Sequence, residues 1–253
     1  MTSVLIGHTG FVGGMLASRM SFDLTVNRAN LPELRDRQVE RVVCAGLPAA
    51  KWIANRDPAA DLDNVRRLCD VLSTVAARTF VLISTIDVYP RSRDADEDFD
   101  PTGAPNHAYG VHRLQFEAFI RERFAHALIV RLPALFGPGL RKNVLFDLLH
   151  GNQLELITPD SCFQWYPLER LPRDIALAES HGLRLVNLFT EPMPTRAILE
   201  RFFPRATVGE RAQPAAHYDL QTRHAAVFGG QGRYVMPAAQ TLTALGEFCG
   251  SHP

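Results

Sequence analysis

An excess of charge of either sign is absent from this 253-residue chain, in which 27 Lys+Arg balance 27 Asp+Glu. That removes the electrostatic case for nucleic acid or an anionic membrane as a partner. Long hydrophobic runs are missing too. The longest apolar stretches, FVLIS and HALIVRLPALF, are of strand length and interrupted by polar or charged residues, so none reads as a membrane span. Cysteine is scarce: Cys44, Cys69, Cys162 and Cys249 lie far apart without CxxC spacing, which argues for isolated thiols over a metal site or a disulfide framework. His8, His107 and His112 show no ligand spacing either, so no metal is expected. There is no internal repeat and no low-complexity tract. The opening MTSVLIGHTG carries neither a basic segment nor a cleavable apolar stretch, and the expected setting is cytoplasmic.

What is present is an ordinary globular composition, 46% hydrophobic and 21% charged, in a chain long enough for one large core or a core and a small lobe. Apolar strand-length segments alternate with helical spacing through the first half. Ser3 to Ile6, Asp23 to Val26, Val42 to Ala45, Phe80 to Ser84 and Ala127 to Leu132 read as strands. Phe11 to Met20, Leu62 to Ala77 and Val111 to Phe124 read as helices, and the acidic, Pro- and Gly-containing segment 91–107 reads as a loop. Such alternation predicts an α/β fold, a doubly wound parallel sheet of Rossmann type covered on both faces. Too few residues separate the second strand from Val42 for another strand and helix, so the sheet is expected to be somewhat abbreviated. Beyond Gly137-Pro138-Gly139 the pattern loosens into short helices (Val144 to Leu149, Arg173 to Glu179, Thr195 to Phe203), with one more strand at Arg184 to Phe189. The expected organisation is a dinucleotide-binding domain over 1–137, with 184–194 returning to its sheet, and a small substrate lobe over 138–253.

The first motif is Gly7-His8-Thr9-Gly10-Phe11-Val12-Gly13, set between a strand and a helix. Glycine is needed where a strand turns sharply, where backbone must approach a phosphate, and where the helix packs close on the strand. Amide groups at the start of that helix then face a pyrophosphate. A second motif is AYGVHR, in which Tyr109 and Arg113 stand one above the other on a helix face.

The GxxGxxG spacing resembles the extended branch of the short-chain dehydrogenase/reductase superfamily, the NAD-dependent epimerase/dehydratase family. Other segments are similar in the same order. Cys44-Ala45-Gly46 ends a strand where the resemblance puts backbone (Ala45, Gly46, Leu47) beside the adenine ribose, and Asn64 resembles the family's structural asparagine. VLISTIDVY looks like the strand carrying the catalytic Ser/Thr, here Thr85 with Ser84 as its neighbour, and Tyr109 with Arg113 resembles the YxxxK pair. RLPALFGPG is similar to the segment leading into the substrate lobe, whose backbone (Pro133, Leu135) the resemblance places by the nicotinamide. Cofactor contacts are thus expected at Gly7, Thr9, Gly10, Phe11, Val12, Gly13, Asn27, Arg28, Tyr109 and Arg113 as well as at these positions. Substrate-facing positions are expected at Lys51, Asp87, Asn143 and Trp165.

Chemically, Thr85 would orient a substrate oxygen while Tyr109 takes or returns its proton, the cofactor carrying hydride. A phenol with a reference pKa of about 10 is a poor acceptor at neutral pH, and a nearby cation favours its phenolate. Arg113 can supply charge and grip a ribose, but it cannot give up a proton as lysine can. Ile86 stands where the family's dehydratases carry an acid, which disfavours dehydration; Asp87 keeps one carboxylate. Asn27-Arg28, with no acid after the second strand, suits the 2′-phosphate of NADP better than the 2′-hydroxyl of NAD. The expected function is an NAD(P)-dependent oxidoreductase or epimerase acting on a hydroxyl or carbonyl of a sugar-nucleotide-like or other small substrate. The alternative is an NAD(P)-binding sensor or assembly protein with little or no turnover. The likeness also implies a homodimer.

Overall fold

The computed structural model describes residues 2–211 and 214–251, which divide into two compact units. The first comprises residues up to Pro90, Asp98–Arg131 and Pro172–Val186; the second comprises Arg91–Glu97, Leu132–Leu171 and the residues from Asn187 onward.

In the first unit, six apolar segments pair into one parallel sheet. They are β1 (Ser3–Ile6), β2 (Leu24–Val26), β3 (Gln38–Cys44), β4 (Ala76–Thr85), β5 (Ala127–Leu132) and β9 (Leu185–Asn187), in the order β2-β1-β3-β4-β5-β9. All six residues of β5 are buried, as expected of a strand covered on both faces. Only a 3-10 turn at Leu31–Leu34 separates β2 from β3, and β3 pairs with β1 on the side away from β2. The abbreviation foreseen from the sequence is this missing strand and helix.

Helices α1 (Phe11–Arg19), α2 (Lys51–Arg56), α3 (Pro58–Leu72), α4 (Ala108–Arg123) and α6 (Leu171–Ser180) accompany the sheet in chain order. α3 starts sharply because Asp57 accepts a hydrogen bond from the Ala60 amide and Pro58 occupies the first turn. One core cluster joins Val4, Val42, Phe80 and Ile129 of the strands to Leu68 of α3 and Phe116 of α4. The helix read from the sequence to Ala77 ends at Leu72 instead. Ala76 and Ala77 pair with Gln38 and Val39, so the ten-residue strand β4 takes residues whose spacing alone also suits a helix. Across the unit, Glu117 of α4 is a buried anchor: its carboxylate accepts Arg131 Nε at 3.0 Å and Nη2 at 2.7 Å, and the Ser84 hydroxyl at 2.6 Å.

The second unit holds β6 (Ala134–Phe136) parallel to β8 (Trp165–Pro167), β7 (Cys162–Phe163) antiparallel to β10 (Met193–Pro194), and helices α5 (Val144–His150), α7 (Thr195–Phe202) and α8 (Ala238–Gly250). Its core gathers Phe136, Leu145, Trp165, Met193, Ile198 and Leu245. Part of the acidic loop belongs here by its bonding. Glu97 accepts the Asn187 and Arg223 amides at 2.7 and 2.9 Å and the Thr222 hydroxyl at 2.7 Å. Among the described residues, no helix is long and apolar enough to cross a membrane.

Candidate active site

The glycine turn follows β1 directly. Gly7 has φ +91°, in the left-handed region, and a Cβ there would lie 2.3 Å from the Ala45 carbonyl oxygen. A Cβ on Gly13 would lie 2.1 Å from the Gly7 carbonyl oxygen, so α1 sits against the turn only because residue 13 is glycine. Gly13→Ala is therefore expected to cost about 1–3 kcal/mol of stability by overpacking, read as a lowered midpoint in denaturant unfolding. Gly10 differs: its would-be Cβ meets nothing closer than 3.4 Å, so packing inside the chain does not demand glycine there. Gly10 is the N-cap of α1, with no side-chain cap and no acid in the first turn, so nothing on the helix itself opposes an anion. Thr9 and Gly10 are exposed, and Phe11 and Val12 half-buried. This open glycine and uncapped helix start suit a dinucleotide phosphate.

At the end of β2, the Asn27 side chain accepts the Ala29 amide at 2.8 Å and Arg28 is exposed. Ala45 donates its amide to Ile6 O at 2.9 Å beyond β3, Gly46 is exposed and Leu47 packs on the core. Asn64 accepts Arg67 Nη2 at 3.0 Å.

The carboxyl end of β4 and the start of α4 bring Thr85 and Tyr109 together. Thr85 Oγ1 accepts the Asp87 amide at 3.2 Å, closing the turn Ile86–Val88. α4 begins just beyond His107, whose Nδ1 accepts the Gly110 amide at 3.0 Å, and Tyr109 lies in its first turn. A Cβ on Gly110 would lie 2.2 Å from Asp87 O, so glycine after the tyrosine lets α4 close on the turn that follows Thr85. Asn106 also holds that turn, donating to Asp87 O at 2.9 Å, and Asn55 Oδ1 accepts the Tyr109 amide at 3.0 Å. Gly110, Asn106 and Asn55 were not singled out from the sequence; a glycine inside the tyrosine motif is the signal that could have found Gly110.

Tyr109 is buried, and burial pushes its phenol above the ordinary value. Arg113 and a hydrogen bond with Thr85 pull it down and Asp87 pushes it up, but the net direction is upward. A neighbouring cation therefore does not by itself produce the lowered value that the sequence suggested. Burial would likewise raise the Asp87 carboxyl, yet contacts with His107 and Lys51 outweigh it and hold the carboxyl below its usual range. Lys51 Nζ lies 2.6 Å from Asp87 Oδ1.

Arg113 is not poised as a free cation. Nη1 and Nη2 grip Asp61 at 3.0 and 2.9 Å, Nη2 also donates to Pro48 O at 2.6 Å, and the guanidinium carbon lies 4.3 Å from the Tyr109 ring centroid. Asp61, which the sequence reading passed over, also meets His112 Nδ1 at 2.8 Å. Ser84 likewise has its hydroxyl engaged inside the unit, on Glu117.

Four expected residues lie in the second unit. Pro133 is buried and Leu135 half-buried. Asn143 caps α5, accepting the Phe146 amide at 3.1 Å while donating to Leu135 O at 2.9 Å, so both ends of its amide are used. Trp165, expected on a substrate loop, is 1% exposed and packs in the core of this unit. Among the described residues no group of three His, Cys, Asp or Glu could hold a metal ion, and all four cysteines are free.

Comparisons with known proteins bear on this geometry. The profile of the NAD dependent epimerase/dehydratase family matches residues 21–150, just over half of the chain, a span that holds Thr85 and Tyr109 but not the glycine turn. No curated protein matches the sequence. Among solved structures, the chain is similar to RMD from Pseudomonas aeruginosa complexed with NADPH (TM-score 0.72, 20% identity, 100% of each chain covered). It is also similar to a mutant UDP-glucuronic acid 4-epimerase from Bacillus cereus in complex with UDP-4-deoxy-4-fluoro-glucuronic acid and NAD (0.74, 14%, 99% of this chain and 98% of that one). A third is UDP-N-acetylglucosamine 4-epimerase from Methanobrevibacter ruminantium in complex with UDP-N-acetylmuramic acid (0.72, 14%, 98% and 97%). At these identities the likeness is one of fold.

Proposed function

The chain belongs to the NAD-dependent epimerase/dehydratase family, and from that premise we propose that it is an NAD(P)-dependent oxidoreductase or epimerase. Its substrate is a hydroxyl or carbonyl compound of the sugar-nucleotide class, as in the similar structures crystallised with UDP-sugars. The observation that carries this reading is the meeting of Thr85 and Tyr109 at the carboxyl edge of the sheet, where α/β folds bind ligands.

The residues divide the work as follows. Gly7, Gly10 and Gly13 with the start of α1 receive the dinucleotide phosphates, with Thr9, Phe11 and Val12 beside them. Ala45, Gly46 and Leu47 lie along the adenosine half. Asn27 and Arg28, lacking an acid between them, favour NADP over NAD. When bound, the nicotinamide supplies the hydride acceptor or donor. Thr85 donates to the substrate oxygen and fixes its direction. Tyr109, held as a phenol by burial, gives its proton to that oxygen as a carbonyl is reduced, and takes it back from a hydroxyl in the reverse sense. The Lys51–Asp87 pair flanks Thr85 and presents a cation to an anionic or polyhydroxylated substrate. A homodimer is expected from the family likeness.

One observation favours the rival reading of a dinucleotide-binding sensor or assembly protein with little turnover: both Nη atoms of Arg113 are engaged by Asp61, and Nη2 by Pro48 as well. Assaying a panel of sugar nucleotides and simple ketones with NADH and NADPH separates the two. Turnover of at least one compound is expected; saturable cofactor binding with no turnover across the panel favours the sensor.

A further inference from the structure

Three polar groups of the first unit converge behind Tyr109. Asp61 extends from α3, and His112 and Arg113 meet it from α4; Asp61 and Arg113 are each 4% exposed. Both Nη atoms of Arg113 hold the one carboxylate, and the same guanidinium lies over the Tyr109 ring. A fork bound at both tips has a fixed direction, and a carboxylate in contact with it offsets its charge. A cation beside the tyrosine is what the family motif asks for. A buried counter-charge clamped onto that cation is a separate feature of this chain.

We propose that Asp61 is a positioning residue that acts on Tyr109 through Arg113, clamping the guanidinium over the phenol ring and offsetting its charge. This rests on the reading of Tyr109 as the acid/base group. The other charged and titratable groups facing Tyr109 are Asp87 from the turn after β4, with Lys51 of α2 and His107 at the start of α4 against it. Thr85 meets the phenol from the end of β4. The cation over the ring is Arg113, and the carboxylate that grips it is Asp61. Remove that carboxylate and the cation acts on the phenol unopposed, favouring phenolate.

The test is the tyrosinate titration of the cofactor-free protein, followed by ultraviolet absorbance, with the contribution of Tyr109 isolated by subtracting the Tyr109→Phe titration. Asp61→Asn keeps the shape and removes the charge. Its Tyr109 midpoint is expected to fall by about one pH unit, or roughly tenfold more phenolate at a given pH on the protonated side. An unchanged midpoint in a folded Asp61→Asn protein overturns the proposal. If Asp61→Asn leaves Arg113 too costly to bury and does not fold, Asp61→Asn/Arg113→Gln, which removes both charges together, decides. With the two charges offsetting each other, its midpoint stays within about half a unit of wild type; a rise of about one unit or more means that Arg113 acted alone. Neither arm uses cofactor or substrate, so the outcome stands apart from the turnover panel.

Discussion

Tyr109→Phe is expected to lower kcat by roughly 10²–10⁴-fold, equivalent to about 3–5 kcal/mol of barrier, while changing cofactor affinity by no more than about twofold. The substitution removes a single hydroxyl. The ring stays packed under the Arg113 guanidinium, and the backbone amide stays on Asn55, so the fold has no reason to shift. What is lost is the proton that balances hydride transfer at the substrate oxygen. Thr85 cannot replace it, because a threonine hydroxyl orients and donates but does not titrate near neutral pH. Steady-state kinetics with a substrate from the turnover panel, paired with cofactor titration of the same preparations, reads both quantities. A variant that keeps wild-type kcat removes Tyr109 from the chemistry. One that loses cofactor binding in parallel shows instead a structural role for the hydroxyl.

Glu117→Ala is expected to destabilise the protein by about 3–5 kcal/mol, a fall in Tm of about 10 °C for a chain of this size. Glu117 is fully buried and Arg131 is 1% exposed, so truncation leaves a guanidinium inside the unit without its carboxylate. It also strips the Ser84 hydroxyl of its acceptor. The anchor ties β4, α4 and β5, the elements that carry Thr85 and Tyr109, so a loosened sheet edge would be felt at the site as well. Exchanging Glu117 and Arg131 together for apolar residues of similar volume should cost much less, since neither charge is then buried alone. Chemical denaturation measures both variants, and a loss below about 1 kcal/mol in Glu117→Ala would mean that the anchor contributes little.

Much of this arrangement can be read from the chain because it rests on local spacing. GHTGFVGG announces its turn through glycines whose Cβ atoms would strike backbone, and β5 announces itself through an unbroken apolar run. The order STIDVY then AYGVHR singles out the hydroxyls that the fold brings together. What stays hidden depends on partners far away in sequence. Asp61 sits 52 positions before Arg113, on a helix whose other acids face solvent, and nothing local distinguishes a buried clamp from a solvated face. Glu97 lies in a run of acids that reads as a solvated loop, yet three donors from distant segments hold it. The boundary at Leu72 escapes for a related reason: Val75 to Ala77 continue an apolar helical rhythm, and pairing with β3 decides the matter. For Trp165, place in the motif order fixes the segment but not which face of it points inward.

Equilibrium titration with NADPH and with NADH, followed by cofactor fluorescence, tests the central claim most directly. The site predicts saturable binding of the dinucleotide at the glycine turn, tighter for NADPH because Arg28 follows β2 with no acid beside it. Absence of binding of both cofactors at millimolar concentration would contradict the account.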